Sequence, residues 1–125
     1  MTVLGAALIA LVIAVLLGSW LAVLHFDGRM PDRVPWVLAL THAAVALGGF
    51  ALLALALQGP TRGADQGTGR FGLAAAVLFA LAIAVGLVIL LRFRVGRKKA
   101  AGLVGLHAML AVSAIVILAA YVLSG

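Results

Sequence analysis

The sequence contains no cysteine and no glutamate, and only 10% of its 125 residues are charged. Without cysteine there is no disulfide framework, no iron–sulfur cluster and no covalent Cys-x-x-Cys-His cofactor attachment. The carboxylates are Asp27, Asp32 and Asp65, and all three fall in polar stretches between apolar runs. Small proton-coupled multidrug transporters of similar size depend on an intramembrane carboxylate, so its absence sets that class aside. Soluble domains carry about 25% charged and about 45–50% apolar residues, whereas 66% of this chain is hydrophobic. The net charge of +6 would suggest nucleic acid for a soluble protein. Here the basic residues lie in short segments between apolar runs, where membrane topology is the simpler explanation, and no nucleic-acid partner is expected.

What is present is four apolar runs, at about 3–26, 35–57, 70–93 and 100–123. Each is long enough to cross a bilayer as a helix. The expected fold is all-α: one transmembrane domain over 1–125, an integral membrane four-helix up-down bundle of two helical hairpins. The first run has no positive charge ahead of its apolar stretch and is too long for a cleaved signal, so it reads as a retained membrane helix. Trp20, His25 and Phe26 mark its interfacial end. Asp27 to Pro35 ends one helix and begins another, with Pro35 suited to a first helical turn. The glycine-rich stretch Gln58 to Gly69 reads as a flexible loop with no phosphate-binding pattern. Ala44 and Gly48 have small-x-x-x-small spacing and are a candidate helix contact.

The basic residues set an orientation. Arg29, Arg33, Arg92, Arg94, Arg97, Lys98 and Lys99 fall in the first and third loops, against Arg62 and Arg70 on the other side. The positive-inside rule then places loops 27–35 and 92–99 in the cytoplasm and both termini outside. The bacterial inner membrane is the expected location.

Two histidines stand inside the runs. His42 is in Thr41-His42-Ala43-Ala44 and His107 in Leu106-His107-Ala108-Met109, each about two turns from the start of its segment. Ionisable side chains at such depth are costly and functional by default. His42-Ala43-x-x-Ala46 matches His107-Ala108-x-x-Ala111, so the two hairpins read as a parallel internal repeat on the strength of this motif. Met109, two residues from His107, points elsewhere on its helix and is taken as packing.

In an up-down bundle the second and fourth helices sit on a diagonal of about 11–14 Å. Inward imidazoles can meet a metal between them, either a haem iron or a bare ion. The alternative is a pair of structural histidines bonded within the bundle. Gly18 and Gly86 lie at about the same depth on the other two helices, with Ala22 and Ala82 one turn away continuing small faces. A glycine weakens a helix unless something must approach its backbone, and the edges of a porphyrin are a candidate.

His on helices two and four with Gly on helices one and three resembles the cytochrome b bundle of quinol-oxidising complexes and other small b-type membrane cytochromes. The resemblance implies His42 and His107 as axial ligands of a haem b iron, with Gly18, Gly86, Ala22 and Ala82 packing the cofactor. The diheme family carries a second His further along each ligand helix. Leu55, Ala56, Ala120 and Tyr121 stand there in this chain, so one haem per chain is expected. With both axial positions filled the iron favours electron transfer over oxygen chemistry. The expected partners are the lipid bilayer and a quinone or a larger respiratory complex. His25, Arg29, Arg33 and Arg92 are candidates to bond a haem propionate. The competing reading is a non-redox accessory or scaffold subunit of a membrane complex.

Overall fold

Long runs of Leu, Ala, Val and Ile with polar residues only at their ends favour uninterrupted helices. In a bilayer every backbone polar group must be satisfied within the segment. The computed structural model describes residues 1–27, 35–96 and 100–125. Over these it is all-helical: α1 (Val3–Phe26), α2 (Trp36–Ala56), α3 (Phe71–Arg94) and α4 (Ala101–Leu123), with a 3-10 turn at Ala64–Gln66. All four helices are long and apolar enough to span a membrane. Thr2 caps α1 by accepting from the Gly5 N–H at 3.0 Å. Pro35 is the N-cap of α2, one position before its first turn. It still suits that place, because its missing N–H would find no intrahelical partner there.

Consecutive helices pair into two hairpins. The packing of α1 on α2 and of α3 on α4 is extensive, and the hairpins meet more sparingly along α1/α4 and α2/α3. The diagonals α1/α3 and α2/α4 do not touch through their backbones, as the expected up-down bundle requires. The buried positions of α1 (Leu4, Ala7, Leu11, Ala14) and α3 (Gly72, Ala75, Phe79, Ala82) correspond one for one at a single constant offset along the chain. Their alternating three- and four-residue spacing keeps one narrow seam facing inward. The parallel repeat therefore extends to the packing itself.

Most of the core fills one end of the bundle. Leu11, Leu53 and Leu118 are its largest fully buried side chains, joined by Phe79, Ala114 and Tyr121. These come from the first halves of α1 and α3 and the second halves of α2 and α4. Among the described residues, the end where α1 and α3 finish and α2 and α4 begin holds fewer buried side chains, and both histidines stand where the tight core gives way to it. Outward positions are apolar and bare. Met109 is 72% exposed and Val37 84%, which suits contact with lipid. Met109 is thus largely exposed at the surface rather than packed in the core.

Two other expectations change. Gly48 has nothing within 4 Å of the position a Cβ would take among the described residues, and Ala44 and Gly48 are both exposed, so no close helix approach is seen at Gly48. The close approach belongs to Gly49, where a Cβ would stand 2.8 Å from Leu11 Cγ. The stretch 58–69 is anchored rather than loose. Arg62 donates to the Gly125 carbonyl (2.9 Å), its backbone N–H donates to the Tyr121 hydroxyl (3.3 Å), and Thr68 Oγ1 donates to Ser124 Oγ (2.7 Å). Arg62 also donates to the Val122 carbonyl (3.5 Å), one of the last in α4 with no intrahelical partner.

Candidate cofactor site between the hairpins

His42 and His107 are each the seventh residue of their helix, one on each hairpin. Their rings face one another across the seam, with centroids 5.9 Å apart and planes inclined at 80°. Each is held by the helix beside it. His42 Nδ1 is 2.8 Å from the Ala14 carbonyl oxygen, and His107 Nδ1 is 2.7 Å from that of Ala82. A carbonyl can only accept, so Nδ1 carries the proton in both rings and Nε2 is left with its lone pair.

The local sequence explains this arrangement. Ala14 and Ala82 each precede a glycine by four residues, Gly18 and Gly86. A helical carbonyl already accepts from the N–H four residues on and keeps a second lone pair for another donor. The side chain at that later position would stand where the donor arrives. A Cβ on Gly18 would lie 2.8 Å from His42 Cε1, and one on Gly86 3.0 Å from His107 Cε1. Glycine therefore clears a berth for the imidazole itself. The sequence reading assigned that space to the edges of a porphyrin. With the imidazole in it, the presence of these glycines no longer separates haem from a purely structural histidine pair.

Open space flanks the ring pair on both sides. One cleft, of about 170 Å³, lies toward the α2/α3 seam and includes Ala43, Leu47, Ile83 and Leu87. The other, of about 360 Å³, lies toward the α1/α4 seam and includes Val15, Ser19, Ala108 and Val112. Both reach His42, His107, Gly18 and Ala22. Gly86 lines the first and Ala82 the second. All six residues singled out from sequence thus meet at one place.

His25 lines the smaller cleft and sets its ring edge-on to Phe26 (5.6 Å) and Phe93 (5.9 Å). Asp27, at the end of α1, lines the larger. The sequence reading saw no carboxylate near the histidines, because Asp27 lies beyond the apolar run. The helix end brings it to the rim. Arg29 and Arg33, named with His25 and Arg92 as candidate propionate partners, lie outside the described residues, as do Arg97, Lys98 and Lys99.

The donor set bears on what could be held here. Metal–imidazole bonds of about 2.0–2.1 Å would place the centroids of two imidazoles about 6 Å apart if both Nε2 atoms pointed at one metal; the rings here meet edge to face at 5.9 Å. Among the described residues neither Nε2 has a hydrogen-bond partner. No cluster of three or more His, Cys, Asp or Glu side chains occurs there either. Two imidazoles alone leave a bare zinc ion short of its usual four ligands. A porphyrin would supply nitrogen ligands of its own, and the clefts beside the rings are lined almost wholly by apolar residues.

The sequence reading missed Ala14. The signal that reveals it is the pair Ala14-x-x-x-Gly18 and Ala82-x-x-x-Gly86 in the same repeat register as the histidines. Comparison of the chain with protein-family models, with curated proteins and with solved structures found no match.

Proposed function

We propose that the protein is a membrane-embedded b-type cytochrome that holds one haem between its hairpins and transfers single electrons. The observation that carries this reading is the meeting of two imidazoles from different hairpins, 5.9 Å apart, each with Nδ1 engaged by a carbonyl and Nε2 without a partner among the described residues. Each ring donates Nδ1–H to a carbonyl, which leaves Nε2 able to bind a metal, and open clefts lie beside the pair. A bound haem would supply a reversible one-electron iron couple. The chain contributes the rest. His42 and His107 would hold the iron, and the Ala14 and Ala82 carbonyls orient the rings and raise their basicity. The leucines and alanines around the clefts keep water away. A quinone in the bilayer or a larger redox complex is the proposed electron partner.

The test is an absorption spectrum of the purified protein, oxidised and then reduced. A sharp Soret band and split α/β bands are expected. Protein made with ample haem and still colourless would favour the second reading, a non-redox accessory or scaffold subunit. One observation supports that alternative: each Nδ1 bond fastens its own hairpin without help from a cofactor.

The stoichiometry follows from the second halves of α2 and α4. They are closed by Leu53, Ala114, Leu118 and Tyr121 and contain no further histidine. A pyridine haemochrome assay is expected to return one haem per chain, and two would contradict the assignment.

We further propose that the loops at 27–35 and 92–99 are cytoplasmic and that the membrane is the bacterial inner membrane. The support is the excess of basic residues in those loops. Because the chain has no cysteine, single-cysteine variants report cleanly. In intact cells Gln66→Cys is expected to react with an impermeant thiol reagent and Val95→Cys to resist it. The reverse pattern would move the histidine pair to the outer half of the membrane.

A further inference from the structure

The inward seams of α1 and α3 continue past the histidine pair. On α1 the buried seam that begins at Leu4 and reaches Ala14 runs on, at the same alternation of four and three residues, through Gly18 and Leu21 to His25. On α3 the seam that reaches Ala82 runs on through Gly86 and Ile89 to Phe93. His25 and Phe93 are therefore the same position of the repeat, one in each hairpin. Both are half-buried, and their rings meet edge to face across the bundle with centroids 5.9 Å apart. The repeat keeps His42 and His107 matched but breaks here. One hairpin presents an imidazole and the other a hydrocarbon ring.

His25 shares a cleft with the pair. It follows Gly18, the glycine beside His42, by seven residues, which is about 10 Å along the helix toward the membrane surface. Apart from these three histidines, every residue lining that cleft is apolar or glycine. Phe26 and Phe93 each meet the His25 ring edge-on. Among the described residues neither of its nitrogens has a hydrogen-bond partner. The other cleft has, besides the pair, only Ser19 and Asp27 as polar residues. The Ser19 hydroxyl already donates to the Val15 carbonyl at 2.8 Å, and the Asp27 carboxylate repels an anion. Of the residues named from sequence as propionate partners, His25 is the one that lines a cleft among those described. Arg92 and Arg94 in the last turn of α3 add positive potential at this end.

We infer that the His25 ring N–H donates to a carboxylate on the ligand held at His42 and His107, which for a haem is a propionate. This rests on the haem reading above. A carboxylate drawn into an apolar cleft needs a donor, and His25 is the donor this cleft provides. Phe93, in the twin position, has no N–H, so one carboxylate is bonded in this way.

The experiment crosses a change in the ligand with a change in the residue. Full-length protein in lipid nanodiscs is titrated with hemin and with hemin dimethyl ester, which keeps the iron and the macrocycle but has no carboxylate, and binding is read from the Soret band. The preference of wild type for hemin over the ester is expected to exceed that of His25→Phe by about tenfold. That is the low end for a hydrogen bond to a charged group, as suits a half-exposed partner. Phenylalanine already stands in the twin position and keeps a ring between Phe26 and Phe93, so the helical fold and the low-spin spectrum are expected to stay unchanged. Adding Phe93→His returns an imidazole to the cleft from the other hairpin and is expected to restore the preference. Equal preference in wild type and His25→Phe, or a preference still missing after Phe93→His is added, would overturn the carboxylate bond and leave the haem site standing. Failure of wild type to bind either hemin or its ester would overturn the haem reading itself.

Discussion

Replacing His42 or His107 with alanine is expected to convert a six-coordinate, low-spin spectrum into one without low-spin character. Haem retention should fall by more than about 100-fold, because partners acting at one remove from a metal already contribute about 10–100-fold. The two substitutions should be equivalent. Each ring occupies the same position in its helix, donates to the same kind of carbonyl and abuts the same kind of glycine. The carbonyls left behind keep their helical hydrogen bonds, so the hairpins should still insert and pair, and a circular dichroism spectrum should stay helical. A low-spin spectrum surviving either change would show that another residue ligates the iron. An effect of one variant only would break the equivalence that the repeat imposes.

The next largest effects are expected at Gly18 and Gly86, and here alanine suffices. Its Cβ would meet the imidazole at 2.8 or 3.0 Å, so the ring must leave the carbonyl or the helices must move apart. Overpacking of this kind costs about 1–3 kcal/mol, and losing the hydrogen bond that orients a ligand weakens binding about 10–100-fold. Gly18→Ala and Gly86→Ala should each lower haem occupancy and shift the midpoint potential of what remains, since the basicity of the ligating ring changes with its Nδ1 partner. Gly48→Ala is the control. Its Cβ would meet nothing within 4 Å, and alanine is the better helix former by roughly 1 kcal/mol. Occupancy and potential unchanged in both glycine variants would mean that the Nδ1 bonds do not orient the ligands.

Four membrane helices, their bounds to within a residue and their up-down order were legible because they follow from local physics. A run such as Phe71–Arg94 has no way to satisfy its backbone in lipid other than as a helix, and Pro35 and Gly96 mark boundaries whatever the rest of the chain does. The depth of His42 and His107 was legible for the same reason, since rise per residue converts position into height. What required the tertiary structure was rotation about each helix axis and the identity of each neighbour. Chains apolar on every face carry little periodic signal of which side turns inward. Sequence could therefore not tell Gly49, packed on Leu11, from Gly48, bare to the outside, nor show that Met109 faces outward. The same limit hid Ala14. A backbone carbonyl has no signature in the sequence, and its role appears only once a neighbouring helix brings an imidazole within 2.8 Å of it. Gly18 and Gly86 could be placed at the right height from sequence. Only the packing decided that an imidazole fills the space beside each of them, because that depends on how two helices are turned toward one another.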